Sequence, residues 1–345
     1  MANAPQAGGP RQPTVKEVAK LAGVSPMTVS RTLAGGKNVR IEVQERVLEA
    51  VAELGYYRNE NARSIRPGQP SGLVGVAITN LGNPYYGDFA LGVEEIAATY
   101  GRRIVLGNTG EDVVRERQLI ADFIGRQVEG LIVVPAGDDA THLKPDALRD
   151  VPLVLASRMV SGVDADSVVL DDVGGAYRGT RLLLESGHTR IAFLGNVSSV
   201  FTGRRRFEGY AKALNESGIE VDLLLVRRDQ QDVASASAAT KALLDLADPP
   251  TAIFSANNRN TVGALKEIAA RIGGGRGAEL LPSILSFDDF ELAEMMPVPI
   301  TVVDHDAHEL GREAARLLFS RLSGERAHQP TRQIEMPTPV RTVRA

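Results

Sequence analysis

The 345-residue chain contains no cysteine and no tryptophan, and only 5% of its residues are aromatic. Without cysteine it can form neither disulfides nor thiolate metal sites. No run approaches the roughly 20 apolar residues that a helix needs to span a bilayer. The first dozen residues, MANAPQAGGPRQ, lack the apolar core of a secretory signal. We therefore expect a cytoplasmic globular protein that contacts no membrane, with residues 1–12 as a disordered tail.

Motifs of catalysis and metal binding are also missing. The chain has no G-x-S-x-G nucleophile elbow and no H-E-x-x-H zinc motif. The glycine-rich residues 273–277 lack the preceding strand and following helix of a phosphate loop. His305 and His308 are three residues apart, but Asp304 and Asp306 beside them do not complete a metal site. We predict that the chain is not an enzyme and uses no cofactor or metal.

The net charge of −4 is small, but it is unevenly distributed along the chain. Residues 1–70 hold 10 Lys and Arg against 6 Asp and Glu, whereas residues 71–345 hold 29 against 37. A small basic part joined to a larger acidic part favours nucleic-acid binding by the first part alone.

Residues 14–33 predict two short helices joined by a turn. Thr14 and Glu17 form a T-x-x-E capping box, and apolar residues follow with helical spacing. Gly23 can adopt the left-handed conformation that ends a helix, and Ser25 and Pro26 are favoured at the start of the following helix. Because the second helix has a polar and basic face, the pair is typical of helix-turn-helix DNA binding. A plain helical hairpin in a core is the alternative.

A third amphipathic helix is predicted at residues 42–54, and the whole segment resembles the N-terminal domain of the lactose-repressor (LacI) family of transcription regulators. The resemblance is carried by Val18-Ala19, Ala22-Gly23-Val24-Ser25, Thr28-Val29-Ser30-Arg31, Leu54-Gly55-Tyr56 and Asn59-Glu60-Asn61-Ala62-Arg63-Ser64-Ile65. It implies three partners: a pseudo-palindromic operator DNA, a small-molecule effector, and a second copy of the chain in a homodimer.

The resemblance also implies which residues contact DNA. Pro26, Met27 and Arg31 occupy the base-reading positions, and an arginine can donate two hydrogen bonds to guanine. Ser25, Thr28 and Ser30 are suited to phosphates. Residues 58–71 correspond to a hinge helix and linker, in which Arg63 contacts DNA and Ile65 is the apolar wedge in the minor groove. Two departures from the family pattern are Ala34 in place of Asn and Arg40 in place of a capping Ser.

From residue 72 onward, apolar runs of strand length alternate with helical segments of 12 to 18 residues. This pattern predicts parallel sheets covered by helices on both faces. About 270 residues exceed what one such sheet needs, so we expect two doubly wound α/β lobes with a ligand cleft between them. The resemblance to the LacI family extends over this part of the chain and implies that the two lobes are a periplasmic-binding-protein-like core. The expected fold class is an N-terminal all-α helix-turn-helix domain at residues 13–57 plus an α/β periplasmic-binding-protein-like core of two doubly wound lobes at residues 72–345. Crossings between the lobes are expected near residues 170–172, 301–305 and 330–332.

The resemblance places the effector in this cleft, against Tyr86, Ser157, Arg158, Asp171, Arg206, Asn258 and Asp288. Relatives often have aspartate at the positions of Ser157 and Asn258. Because both are neutral here while arginines remain, we hypothesise an anionic effector, a sugar acid or sugar phosphate held mainly by Arg206. The alternative is that the arginines face solvent or pair with nearby acids. For the whole chain, the alternative function is a small-molecule binding protein without DNA-linked activity.

Overall fold

The computed structural model describes residues 13–33, 35–36, 38–57, 71–196, 200–275, 277, 281–290, 293–295 and 298–343. The chain divides into two compact units, residues 1–69 and 70–345. The predicted tail at 1–12 lies outside the described residues, as does nearly all of the predicted hinge. Among the described residues, no helix is both long and apolar enough to cross a membrane.

The described part of the first unit contains three helices: α1 (Val15–Ala22), α2 (Pro26–Leu33) and α3 (Ile41–Leu54). The predicted capping box is confirmed, because Thr14 and Glu17 each accept the other's backbone N–H. The predicted left-handed residue is also confirmed, with φ of 63° at Gly23. The helices pack around an apolar centre that contains Val18, Ala19, Ala22, Val29, Val47, Ala50 and Tyr56.

The first lobe of the second unit is a sheet of six parallel strands in the order β11-β5-β4-β3-β1-β2. The strands are β1 (Leu73–Ile78), β2 (Arg103–Asn108), β3 (Gly130–Val133), β4 (Leu153–Ala156), β5 (Asp166–Leu170) and β11 (Gln333–Met336). Its helices are α4 (Pro84–Thr99), α5 (Val113–Gly125), α6 (Pro145–Leu148) and α11 (Ala307–Leu322).

The second lobe has the strand order β12-β10-β9-β8-β6-β7, with β12 antiparallel to β10 and the other pairs parallel. Its strands are β6 (Ile191–Leu194), β7 (Val226–Arg227), β8 (Ala252–Ser255), β9 (Ser283–Phe287), β10 (Ile300–Val303) and β12 (Val340–Val343). Its helices are α7 (Asp172–Glu185), α8 (Phe201–Glu216), α9 (Val233–Leu244) and α10 (Asn258–Gly273). Two α/β lobes were predicted, and this prediction is confirmed.

The chain passes between the lobes at Asp171, at residues 304–306 and at residues 337–339. The first two crossings match the prediction, but the third was predicted near residues 330–332 and that placement is wrong. Arg332 still belongs to the first lobe, because its N–H donates to Asp166 and its carbonyl accepts from Ser167. β11 then pairs with β5 before the chain leaves.

The apolar run at residues 223–226 has the length of a strand, but most of it does not form one. Leu223–Leu225 forms a 3₁₀ turn, because the carboxylate of Asp222 accepts the N–H of Leu224 and fixes a tight start. Leu223 and Leu224 are consequently exposed, and the strand that follows has two residues. Three leucines in a row do not separate a buried strand from a turn by periodicity.

Candidate functional site: a helix-turn-helix surface and an interlobe cleft

The second helix of the first unit presents the predicted DNA-binding residues at its surface. Val29 and Thr32 face the core, whereas Met27 is 63% exposed and Arg31 is also exposed. Ser25 Oγ accepts the N–H of Thr28 at 3.1 Å, so this serine caps the helix.

Of the remaining residues predicted to contact DNA, the structure describes some and does not describe others. Pro26 is exposed, and Ser30 is half-buried. Arg63 and Ile65 lie outside the described residues. Of the two departures from the family pattern, Arg40 leaves α3 without a side-chain cap, and Ala34 lies outside the described residues.

The second unit has a cleft of about 470 Å³ between its lobes, where strands of both sheets end. Five of the predicted effector residues line this cleft: Tyr86, Ser157, Arg158, Arg206 and Asp288. Such a volume and a position outside the carboxyl ends of parallel strands are typical of small-molecule sites.

The other two predicted effector residues have different surroundings. Asn258 lines a second cavity of about 880 Å³, which shares Tyr85, Arg259 and Asp288 with the cleft. Asp171 caps α7, accepting the N–H of Gly174 at 2.8 Å, and pairs with Arg178 at 3.1 Å. Its carboxylate is thus occupied by its own helix.

On the first-lobe side, buried hydroxyls and one ion pair form the wall. The Tyr85 hydroxyl and Ser157 Oγ are 2.6 Å apart, and the Tyr86 hydroxyl accepts from Thr79 at 2.7 Å. Burial raises the pKa of Tyr85 well above its ordinary value, so the phenol stays protonated. Arg158, which is buried, donates two hydrogen bonds to Glu111 at 2.6 and 2.9 Å.

On the second-lobe side, Arg206 is the centre of a buried network. It donates to Asp172 at 2.7 Å and to the carbonyl of Ala256 at 2.6 Å, and it lies 3.4 Å from Asp288. Its guanidinium also stacks 3.6 Å from the centre of the Phe287 ring. Planar hydrogen bonding and stacking are both properties of arginine rather than lysine.

The pKa values of the two acids of this network are shifted in opposite directions. Burial raises the pKa of Asp172, and the nearby Arg206 only partly offsets that effect. Burial acts in the same direction on Asp288, but Arg206, His305 and the N–H of Asn258 outweigh it and hold the pKa below its ordinary value. His305 Nε2 is 2.8 Å from Asp288, so the network continues into the second crossing between the lobes.

These pairs contradict the charge argument for an anionic effector. Arg158 and Arg206 were expected to lack partners, but Glu111, Asp172 and Asp288 neutralise them. Arg259 is the exception, since it lines the cleft, is half-buried and makes no hydrogen bond or ion pair with any residue that the structure describes. Sequence reasoning missed Glu111 and Asp172 because partners 47 and 34 residues away are set by topology.

Two buried amide oxygens beside the cleft have no hydrogen-bond partner among the described residues. They are Asn258 Oδ1 and Gln230 Oε1. Gln230 lines the cleft, and the Asn258 amide donates from Nδ2 to Asn83 Oδ1 at 2.8 Å. Because an unpaired buried acceptor is costly, these atoms suit a ligand that brings hydrogen-bond donors.

Two residues that line the cleft have an unusual backbone conformation. Ser157 and Asp288 directly follow β4 and β9, one in each lobe, and have φ of 61° and 73°. Residues other than glycine rarely adopt such angles, and when they do they concentrate at ligand sites.

Comparison with known proteins agrees with both parts of this architecture. A family model described as bacterial regulatory proteins, lacI family, matches residues 14–59, and one for a periplasmic binding protein-like domain matches residues 180–342. The chain is 31% identical over 313 residues to catabolite control protein A of Priestia megaterium, covering 90% of this chain and 93% of that protein.

Solved structures of relatives share the fold. A complex of the transcriptional regulator CelR with cellobiose has a TM-score of 0.67 at 28% identity, covering 96% of this chain and 98% of that one. The lac repressor dimer bound to operator and the anti-inducer ONPF has a TM-score of 0.78 at 25% identity, covering 97% and 98%.

A helix-turn-helix unit followed by a two-lobed binding core defines a DNA-binding regulator with a ligand-binding domain. The chain belongs to the lacI family of bacterial regulatory proteins. The sequence-based predictions of family and of fold class are confirmed, and the relatives are transcription regulators rather than enzymes.

Proposed function

We propose that the protein represses transcription by binding a pseudo-palindromic operator as a homodimer, under the control of a small effector in the interlobe cleft. The single observation that carries this proposal is the presence, in one chain, of an exposed recognition helix and a two-walled polar cleft. In a two-fold dimer, the recognition helices would enter major grooves about 34–36 Å apart.

The effector that the cleft suits best is a hydroxyl-rich small molecule, a sugar or sugar derivative. Its walls combine tyrosines, amides and paired charges, and the Gln230 acceptor in the cleft and the Asn258 acceptor beside it, which have no partner among the described residues, suit hydrogen-bond donors. A structure of the related CelR contains cellobiose. A sugar acid or sugar phosphate remains the second candidate, and Arg259 is the residue that supports it.

Two measurements test this function. Selection of genomic fragments on the full-length protein should return a pseudo-palindromic sequence bound with specificity over random DNA. A thermal-shift series should compare neutral sugars with their acids and phosphates. A protein that binds sugars but selects no DNA sequence would instead be a small-molecule binding protein. An Arg259→Gln variant that loses an acid or phosphate but keeps the neutral sugar would establish the anionic effector.

A further inference from the structure

Among the residues that the structure describes, two side-chain contacts with hydrogen bonds join the walls of the cleft. Asn83 Oδ1, on the first lobe, accepts a hydrogen bond from Asn258 Nδ2, on the second lobe, at 2.8 Å. At the cleft rim, Arg204 of α8 donates to both carboxylate oxygens of Asp138 at 2.8 and 3.2 Å. We propose that Asn83 is a positioning residue that, together with the Asp138–Arg204 ion pair, holds the lobes closed before any effector binds.

The amide contact is built into two helix starts. Asn83 is the N-cap of α4, and its Oδ1 also accepts the N–H of Tyr85 at 3.2 Å. Asn258 is the first residue of α10. Both side chains are buried, with 9% and 6% exposed, so water competes little for this hydrogen bond.

The contact also fixes which atom of Asn258 faces a ligand. With Nδ2 given to Asn83, the free atom is the acceptor Oδ1, which is buried and has no partner among the described residues. A ligand that donates a hydroxyl to that oxygen and also contacts the first-lobe wall would bind the closed state more tightly than the open one. Because a ligand shifts an equilibrium only through its differential affinity, this geometry makes the closed state the one that the effector favours.

The two contacts are expected to differ in how much each stabilises the closed state. A net hydrogen bond of the usual strength changes an equilibrium roughly two- to twelvefold. The rim pair is exposed, with 38% and 66% of the two side chains accessible, so we expect about fivefold at most and a loss in high salt. Asn83 is therefore the main contact and Arg204 the auxiliary one.

The test measures the distance between the lobes in the full-length protein without effector or DNA. Because the chain has no cysteine, Lys144→Cys and Ala238→Cys, exposed positions on the first and second lobe, place one dye on each lobe. Labelled protein is diluted with unlabelled protein so that transfer is measured within one protomer. Single-molecule energy transfer should show one predominant short distance in the unmodified sequence.

Asn83→Ser and Asn83→Asp form a matched pair of variants. Both side chains cap α4, but serine is too short to reach Asn258, whereas the aspartate carboxylate still accepts its N–H. We expect the ratio of closed to open molecules to fall roughly two- to twelvefold in Asn83→Ser and to be retained in Asn83→Asp. Equal distance distributions in the two variants, or a mainly open unmodified protein, would overturn the proposal.

The rim pair provides an independent variant should Asn83→Ser not fold. Arg204→Gln should lower the closed population in low salt and have no effect in 0.5 M NaCl. Arg117→Gln is the control, since Arg117 makes a similarly exposed ion pair with Asp139 inside the first lobe. If both arginine variants give the same distribution, the rim pair has no part in closure. Lobe closure rests on the proposed function only for its role in effector binding. The distance measurement uses no effector, so it stays valid even if no effector is found.

Discussion

Arg204 and Arg206 lie two residues apart on α8, yet their ion pairs contribute differently to the free energy of unfolding. Arg204 pairs with Asp138 at the surface, while 7% of the Arg206 side chain is exposed and its partner Asp172 is 1% exposed. Exposed pairs contribute about 0–1 kcal/mol. Removing one partner from a buried pair costs about 3–5 kcal/mol, because the other charge is left without compensation.

We therefore predict that Arg206→Met lowers the free energy of unfolding by roughly 3–5 kcal/mol at pH 7, and Arg204→Met by at most about 1 kcal/mol. Without Arg206, Asp172 would be buried without its cation, and its folded-state pKa, which burial already raises, would lie further above that of the unfolded chain. The folded variant would then bind more protons, so its stability should rise as the pH falls from 7 to 5. Urea unfolding at both pH values measures this, and equal losses for the two variants would contradict it.

At the recognition helix, the decisive residue is predicted to be Arg31. Arg31→Ala should weaken specific operator binding by roughly 1–3 kcal/mol per half-site, because the bidentate contact to guanine is lost. The fold should be unaffected, since this side chain is exposed. Arg31→Lys is the control: it keeps the charge but not the fork geometry. Mobility-shift titrations at fixed salt decide the matter, and alanine and lysine variants that both bind like the original would refute base reading by this arginine.

Among the elements, the crossing of α4 and α11 depends on two glycines. A Cβ at Gly311 would lie 2.1 Å from the carbonyl oxygen of Phe89, and one at Gly92 would lie 2.0 Å from that of His308. Both neighbours are backbone atoms, so neither can move aside without separating the helices. α11 also packs on strands of the first lobe, and the second crossing between the lobes leads directly into α11. The packing of α4 against α11 therefore fixes where that crossing ends.

Gly311→Ala is predicted to lower the free energy of unfolding by roughly 1–3 kcal/mol through overpacking. Gly87→Ala, on the same helix as Gly92, is the matched control, because a Cβ there has no heavy atom within 4 Å. It should be neutral or stabilise by up to about 1 kcal/mol, since alanine favours the helix. Thermal unfolding of both variants measures the difference, and a stable Gly311→Ala protein would show that the helices can separate without cost.

Across the whole core, Asp166 joins parts of the chain that are far apart in sequence. Its carboxylate accepts from Arg321 of α11 at 2.7 and 3.0 Å and from the backbone N–H of Arg332 at 2.7 Å. Burial by itself raises the pKa of Asp166, but these hydrogen bonds outweigh it, so the pKa lies below its ordinary value of 3.8. The contact thus stabilises the charged form in the folded chain.

A lowered folded-state pKa contributes stability above the unfolded value and loses it as the pH falls through the folded one. We therefore expect the loss of stability between pH 5 and pH 3 to be steeper in the original protein than in Asp166→Asn. The exposed Asp88→Asn, which removes one surface carboxylate, is the control. Melting temperatures at pH 5, 4 and 3 test this, and parallel curves for all three proteins would contradict it.

The sequence by itself determined the elements whose causes are local. The capping box at Thr14, the left-handed Gly23 and the alternation of apolar runs with helical segments each depend on neighbours within a few residues. They were sufficient to predict the helix-turn-helix and the two lobes, whereas the five predicted residues that line the cleft came from the family resemblance. The family resemblance supplied the roles of those residues.

Only the tertiary structure decided which charges meet and where the chain crosses between lobes. Glu111 reaches Arg158 and Asp172 reaches Arg206 because two helix starts and two strand ends converge at one cleft. The sequence contains these acids but not their distances, so the arginines were predicted to lack partners. Likewise, the last crossing falls at residues 337–339 because β11 first pairs along β5, an interaction between segments more than 160 residues apart that no local pattern encodes.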